Sequence, residues 1–224
     1  MNVLCSLCTE HFLIVAGWIG TIAFAVSGII SSLRKNLDLM GTYIVSILSC
    51  SGGGIIRDVL LNKQPALLYS QNTFLIVLVL TLIFKFLRKG NVIENVEGKF
   101  IFRISDTLGL VAYTIIGAQT AINHGLSFFP VMTIALFSSV GGGLVRDALL
   151  GKISQTLTSE FYGSTSIIVG AMVYIASSLQ CPQDYYLPTV FVLGSLIRIL
   201  VIRYRINLAK FFYSPAIPTL IKKP

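Results

Sequence analysis

The chain has 224 residues, of which 54% are hydrophobic and only 12% are charged, and its mean hydropathy is +0.82. This composition excludes a soluble globular domain and indicates an integral membrane protein. The net charge of +8 is explained by membrane topology and by an inner surface that faces anionic lipids, so no nucleic-acid partner is expected.

Seven charge-poor runs are long enough to be membrane helices, which need ~20 residues each. They cover residues 12–32, 39–56 with an extension to 61, 68–84, 107–123, 127–145 with an extension to 150, 161–180 and 186–202. Arg198 interrupts the last run, and we expect its long side chain to reach the membrane surface. An outer tail is expected over residues 1–11, a cytoplasmic linker over 85–105 and a basic cytoplasmic tail over 206–224.

The basic residues set the orientation, because lysine and arginine collect on the cytoplasmic side of short loops. With the N-terminus outside and the C-terminus inside, every lysine and arginine except Arg57 and Lys63 falls on the inner side. We therefore predict a multi-pass protein with an outer N-terminus and a cytoplasmic C-terminus.

The second predicted helix carries a motif that recurs in the fifth. Gly-Gly-Gly-x-x-Arg-Asp occurs at residues 52–58 and again, 89 residues later, at 141–147. The same offset aligns Gly20 with Gly109 without a gap. A register held this long indicates duplication, of residues 12–84 into 106–180, with a seventh helix over 181–205 outside it. Because each copy has three spans, the second must enter from the opposite side, which predicts an all-α protein of two inverted three-helix repeats.

The glycine triplets are costly in a helix interior, at ~1 kcal/mol per residue relative to alanine. One interpretation is that they break or kink the helices around a polar pathway, where freed carbonyls suit a cation. The alternative is that they let two helices cross at close range. The predicted pore-lining or kink residues are Gly52, Gly53, Gly54, Gly141, Gly142 and Gly143.

Arg57 and Arg146 follow the triplets, at a depth where a guanidinium requires a cavity, an ion pair or an interface position. Neighbouring helix positions point about 100° apart, so Asp58 and Asp147 are not expected to neutralise them, and a partner must come from elsewhere. We interpret the two arginines as gating candidates; the alternative is that they reach the surface or satisfy helix carbonyls.

Further polar residues are candidates for the pathway. Asp106 is interpreted first as an N-cap of the fourth helix, with a pathway role as the alternative, and His124 as a solvated loop residue. The complete set of polar pathway candidates is Ser46, Ser49, Ser138, Asp58, Asp147 and Asp106.

The four cysteines do not form a metal pattern. Cys5 and Cys8 have CxxC spacing without a second pair, and Cys50 lies in a span. A disulfide among Cys5, Cys8 and Cys181 on the outer side stays open. Neither a metal nor a cofactor is expected.

The doubled motif, with Phe24-Ala25-Val26-Ser27-Gly28 in the first helix and Ser105-Asp106-Thr107-Leu108-Gly109-Leu110 at the fourth, resembles the prokaryotic trimeric intracellular cation (TRIC) channels, also described as glycine-transporter-domain proteins. The resemblance implies a homotrimer with an hourglass pore for K⁺ or Na⁺ in each protomer, lined by helices 2 and 5, in a prokaryotic plasma (inner) membrane. On that resemblance the triplets surround the pore, and Arg57 and Arg146 are the basic motif residues.

Two function classes remain open on the same fold: a passive cation channel, and a carrier for a small amino acid such as glycine. The intramembrane acids favour the channel, because coupled carriers hold acids within the span whereas these lie at span ends. An enzyme is not expected, because neither a phosphate-binding GK[ST] loop nor a nucleophile with a His-acid pair is found.

Overall fold

The computed structural model describes residues 2–88, 96–154 and 162–204, which form seven α-helices. The helices are α1 (Asn2–Leu33), α2 (Leu39–Leu60), α3 (Gln71–Arg88), α4 (Val96–Asn123), α5 (Phe128–Leu149), α6 (Tyr162–Ser178) and α7 (Gln183–Tyr204), with a short 3-10 turn (Ala66–Tyr69) before α3. Among the described residues α1, α2, α4, α5 and α7 are long and apolar enough to cross a membrane, and α3 is apolar but shorter. The all-α membrane fold predicted from the sequence is confirmed.

Several helices exceed their predicted limits. Helix α1 already begins at Asn2, inside the expected tail, and α4 begins at Val96, inside the expected linker. Hydropathy marks only the stretch that lies in hydrocarbon, whereas hydrogen bonding carries a helix on into the polar interface. The expected basic tail over residues 206–224 lies outside the described residues.

The duplication is visible in the turns. A residue with left-handed backbone follows α1 at Asn36 (φ 58°) and follows α4 at the equivalent Gly125 (φ 69°). The same pairing follows α2 and α5, at Asn62 (φ 53°) and Gly151 (φ 60°). Asparagine and glycine are the residues that tolerate this conformation at helix ends. Equivalent turns therefore end equivalent helices in both repeats.

Packing follows the same pseudo-twofold relation. Helix α1 packs on α4 and α2 packs on α5, with α3 and α6 placed at the flanks. Gly20 lies against Tyr113, and the equivalent Gly109 lies against Phe24, so the two contacts exchange under the repeat offset. The rings of Phe24 and Tyr113 stack at 5.6 Å between centroids. The two inverted repeats thus meet at a core that both build equally, and α7 covers α4 and α6 from outside the duplication.

Candidate functional site

The glycine triplets lie where α2 crosses α5. A Cβ on Gly53 would overlap the carbonyl oxygen of Ser138, and a Cβ on Gly142 would overlap the carbonyl oxygen of Ser49. Helix α2 continues through its triplet to Leu60, and α5 continues to Leu149. The expected break in these helices is therefore absent, whereas a kink at the triplets stays a prediction. The overlaps support the alternative, a close crossing of the two helices.

Arg57 is paired with its own neighbour, against expectation. Its Nε donates to Asp58 Oδ1 at 2.8 Å, and its Nη2 lies 2.7 Å from the same oxygen. The other carboxylate oxygen of Asp58 accepts the backbone N–H of Ala66 at 2.9 Å. The prediction that neighbouring residues cannot pair was wrong, because both side chains are flexible enough to bend toward one another along the helix.

A cavity of about 140 Å³ with both polar and apolar lining lies beside Arg57. Thr21 and Tyr113, which both line it, share a hydrogen bond of 2.9 Å between their hydroxyls. The polar and charged lining comes mainly from Thr21, Ser51, Arg57, Asp58, Thr73 and Tyr113. We call this end of the α2–α5 crossing the Arg57 half. It combines side-chain oxygens that can accept hydrogen bonds with the ion-paired guanidinium of Arg57.

At the other end, which we call the Arg146 half, the arginine is enclosed. Arg146 is 1% exposed. Its Nε donates to Asp147 Oδ1 at 2.9 Å, and its Nη1 donates to Asp106 Oδ1 at 2.8 Å and to the Ser27 hydroxyl. The guanidinium carbon also lies 4.9 Å from the centroid of the Phe102 ring, within cation–π distance. Two carboxylates therefore hold one cation in a buried network.

Asp106 is the residue whose interpretation changes most. It lies well inside α4, which begins at Val96, and it is buried, so it is not an N-cap. Instead it joins α4 to α5 through Arg146 and to α1 through Ser27, whose hydroxyl donates to it at 3.4 Å. A partner for Arg146 from elsewhere in the chain was expected, and Asp106 is that partner.

The two halves differ because the repeats have diverged at the positions around each arginine. By the repeat offset, Asp106 corresponds to Gly17 and Ser27 corresponds to Ile116. A Cβ on Gly17 would lie 3.8 Å from Ile116 Cδ1, so this pair occupies the same relative place without any charge. Among the described residues, Arg146 pairs with a second carboxylate and Arg57 does not.

Side-chain size diverges as well. Thr73, which lines the Arg57 cavity, corresponds to Tyr162, which is fully buried near Arg146. Thr21 corresponds to the buried Leu110. The Arg57 half is consequently hollow and polar, whereas the Arg146 half is filled.

The three candidate serines lie in the protein interior. Ser46 donates to the Thr42 carbonyl at 2.6 Å, and Ser49 donates to the Phe24 carbonyl at 3.1 Å. The Ser138 hydroxyl is buried without a hydrogen-bond partner. Their role in a pathway stays a prediction.

Basic residues gather outside the spans at the Arg146 half. Burial lowers the pKa of Lys152, and the neighbouring Lys35 lowers it further, whereas Asp147 acts in the opposite direction. Burial also lowers the pKa of Arg34, whose guanidinium lies 5.8 Å from the Phe102 ring centroid. The protein surface at the Arg146 half is therefore strongly cationic.

Four participants were not singled out as site residues from the sequence: Ser27, Phe102, Tyr162 and Arg198. Ser27 belongs to the motif of the first helix, and Arg198 is visible as a charge within a span. Arg198 does not reach the surface as expected; it is 6% exposed and packs on Tyr162. Phe102 and Tyr162 carry no signal that distinguishes them from other aromatic residues of an apolar chain.

Two remaining expectations concern other residues. His124 is exposed, as expected for a loop residue, and its Nδ1 lies 2.8 Å from the Thr120 carbonyl. Cys181 is exposed, whereas the side chains of Cys5 and Cys8 lie outside the described part of the chain. No group of three or more His, Cys, Asp or Glu side chains suited to a metal occurs among the described residues.

Known proteins resemble this chain over most of its length. The sequence model of the family described as Glycine transporter matches twice, at residues 14–89 and 103–178. The UPF0126 membrane protein YvgT of Bacillus subtilis (strain 168) is 33% identical over 157 residues, 69% of this chain and 76% of the relative. The UPF0126 inner membrane protein YadS of Escherichia coli (strain K12) is 27% identical over 86% of this chain and 93% of its own.

Solved structures are also similar to this chain over most of its length. A prokaryotic TRIC channel determined in 0.5 M KCl has a TM-score of 0.81 at 31% identity, covering 89% of this chain and 100% of its own. A TRIC cation channel from a study of conductance has a TM-score of 0.79 at 29% identity, covering 92% and 98% of the two chains. These matches are to channels rather than enzymes. The chain therefore belongs to the family described as Glycine transporter, the membrane-protein family that includes the prokaryotic TRIC channels.

Proposed function

We propose that the protein is a passive channel for monovalent cations, K⁺ or Na⁺, with an hourglass pathway along the α2–α5 crossing of each protomer in a homotrimer. The observation that carries the proposal is the contrast between the two halves. One half has a polar cavity beside an arginine that is paired once, and the other has a buried arginine held by two carboxylates. A pathway closed at one end and hydrated at the other accounts for both.

The proposed gate is the ion pair of Arg146 with Asp106. A cation cannot pass a filled, cationic constriction, so conduction requires the guanidinium to leave Asp106 and withdraw toward Asp147. In the Arg57 half the hydroxyls of Thr21 and Tyr113 and the carboxylate of Asp58 offer oxygens to a partly dehydrated cation. Arg57 is neutralised there by Asp58 and does not block the cavity.

The positive-inside rule orients this gate. The basic residues of the loops lie mainly at the Arg146 end, so we place that end at the cytoplasm and the Arg57 cavity at the outer face of an inner membrane. Anionic lipids of the inner leaflet are then the expected neighbours of the basic surface.

A glycine carrier is the second candidate. The match to a family described as Glycine transporter favours it, and so does the Arg57 guanidinium, which is suited to bind a carboxylate within the 140 Å³ cavity. Among the described residues Arg57 pairs with no second carboxylate, so part of its guanidinium is available to bind a substrate.

Single-channel recording of the purified protein in a planar bilayer under asymmetric KCl separates the candidates. The channel predicts discrete openings that reverse near the potassium equilibrium potential. A silent bilayer combined with saturable glycine uptake into liposomes containing the same preparation would replace the channel with the carrier. Protein-free bilayers and liposomes serve as the control.

A further inference from the structure

Arg198 is buried like Arg57 and Arg146, but it lies outside the duplication. Its side chain is 6% exposed and forms no ion pair with any described residue. The guanidinium carbon lies 4.7 Å from the centroid of the Tyr162 ring, which provides a cation–π contact. Burying a guanidinium without a counter-ion costs free energy, so such a residue within a membrane protein marks a candidate functional site.

The surroundings of Arg198 contain further unsatisfied polar groups. Its own Nε, the Tyr162 hydroxyl and the Ser195 hydroxyl are all buried, and none has a hydrogen-bond partner among the described residues. Ser195 lies one turn before Arg198 on the same face of α7. Buried polar groups are normally paired, so three unpaired ones in one place indicate a site that is completed in another state of the protein.

Asp106 is the carboxylate placed to complete it. Helix α7 packs on α4, and one cavity of about 310 Å³ between them is lined by Thr107, which follows Asp106, and Ile199, which follows Arg198. Arg198 interacts electrostatically with Asp106, and Tyr162 interacts electrostatically with both. Arg146 binds this carboxylate from α5, and Arg198 lies at the same level of α7, against the Tyr162 ring.

Opening of the proposed gate takes Arg146 away from Asp106. A buried carboxylate left without a partner is strongly unfavourable, so an unassisted gate would stay closed. Arg198, whose Nε has no partner while the gate is closed, removes this obstacle.

We propose that Arg198 is the second cationic partner of Asp106: it receives the carboxylate, together with the Tyr162 hydroxyl, when Arg146 withdraws, and it thereby stabilises the open state. Arg198 is a positioning residue, which acts on ions only through Asp106. The inference rests on the proposed channel function and on its gate.

Single-channel dwell times test it. Arg198→Gln is expected to shorten openings and to lower the open-to-closed ratio by about fivefold or more, the effect of losing ~1 kcal/mol of open-state stabilisation. Arg198→Lys keeps the charge and should restore part of the open time. Arg203→Gln removes the same charge from an exposed position on the same helix and should change neither dwell time.

The decisive comparison uses Asp106→Asn as the background. If Arg198 acts through Asp106, Arg198→Gln has little further effect once the carboxylate is gone. An equal effect in both backgrounds, or normal openings in Arg198→Gln, overturns the role of Arg198. If Asp106→Asn alone leaves gating unchanged, the gate itself fails, and the two failures are distinguishable.

Loss of folding is controlled with a milder change. Tyr162→Phe keeps the ring under the guanidinium and removes only the unpaired hydroxyl. It should shorten openings less than Arg198→Gln does. Normal dwell times in both Tyr162→Phe and Arg198→Lys, with Arg198→Gln unable to fold, would assign Arg198 a purely structural role and overturn the proposal.

Discussion

Asp106→Asn removes one negative charge from the Arg146 network while keeping an oxygen that accepts from Nη1. The present hydrogen bond is 2.8 Å long and joins two buried, charged groups. A hydrogen bond to a charged partner contributes ~1.5–3 kcal/mol, against ~0.5–1.5 kcal/mol for a neutral one. The substitution should therefore weaken the closed state by about 1–2 kcal/mol, which shortens the closed times by a factor of about 5–30.

The second carboxylate keeps this experiment interpretable. Arg146 retains Asp147 at 2.9 Å, so its charge stays paired and the bundle is expected to fold. Open probability is measured from single-channel records at fixed voltage, with elution volume and thermal stability in detergent as checks of assembly. The expected result is more frequent openings with unchanged unitary conductance, and each opening is shorter because Asp106 no longer offers Arg198 a carboxylate in the open state.

Asp38→Asn is the matched control. Asp38 caps α2 by accepting the Gly41 N–H at 2.7 Å, and asparagine is as good an N-cap as aspartate. This change of acid to amide should leave gating unaltered. Closed times in Asp106→Asn equal to those of the unmodified protein would refute the assignment of the Arg146–Asp106 pair as the gate.

Three further predictions concern the glycine triplet of α2, Lys152 and two positions at which the repeats differ. Gly53→Ala should lower the free energy of unfolding by about 1–3 kcal/mol in thermal denaturation because its Cβ meets backbone, whereas Gly54→Ala, which approaches only the end of the Arg57 side chain, should be neutral or stabilising by up to ~1 kcal/mol. Alkaline solution on the Arg146 side should raise cation conductance, because the lowered pKa of Lys152 makes it lose its charge before ordinary lysines do, and Lys152→Gln should abolish that increase. Gly17→Asp combined with Ile116→Ser should give Arg57 a second carboxylate and reduce open probability, whereas Gly17→Asn with the same serine should reduce it less; equal effects would contradict the charge-based explanation.

The sequence was sufficient for the fold because hydropathy and the 89-residue register both report on long stretches of chain. Seven apolar runs predict seven helices, and an odd number of spans per copy predicts inversion. The repeat also pointed to the candidate site, since Arg57, Arg146 and the aspartates that follow them all belong to the repeated motif.

Side-chain pairing was not accessible in the same way. The ideal angle between neighbouring helix positions argued against the Arg57–Asp58 pair, yet rotation about several side-chain bonds brings the two groups to 2.7 Å. The Asp106 side chain was assigned to a cap because hydropathy hid the first turns of α4. The triplets were expected either to break or kink their helices or to let them cross closely; the helices are not broken, because helix–helix packing compensates the poor helix propensity of glycine when backbones approach this closely.

The divergence of the two repeats fits the proposed one-sided gate. Two identical inverted repeats would offer the same arginine environment at both ends of the crossing, so the sequence would not distinguish the end that carries the gate. Divergence at a few positions removes this equivalence. Asp106 in place of Gly17 gives one end a second ion pair, and Tyr162 in place of Thr73 fills the space beside it. The other end keeps a cavity. Because the shared crossing of α2 and α5 needs the glycines of both copies, the duplicated motif is retained while the surrounding residues become different. The arginines are thus common to both ends of the candidate site, and in the proposed channel the residues around them distinguish the end that carries the gate.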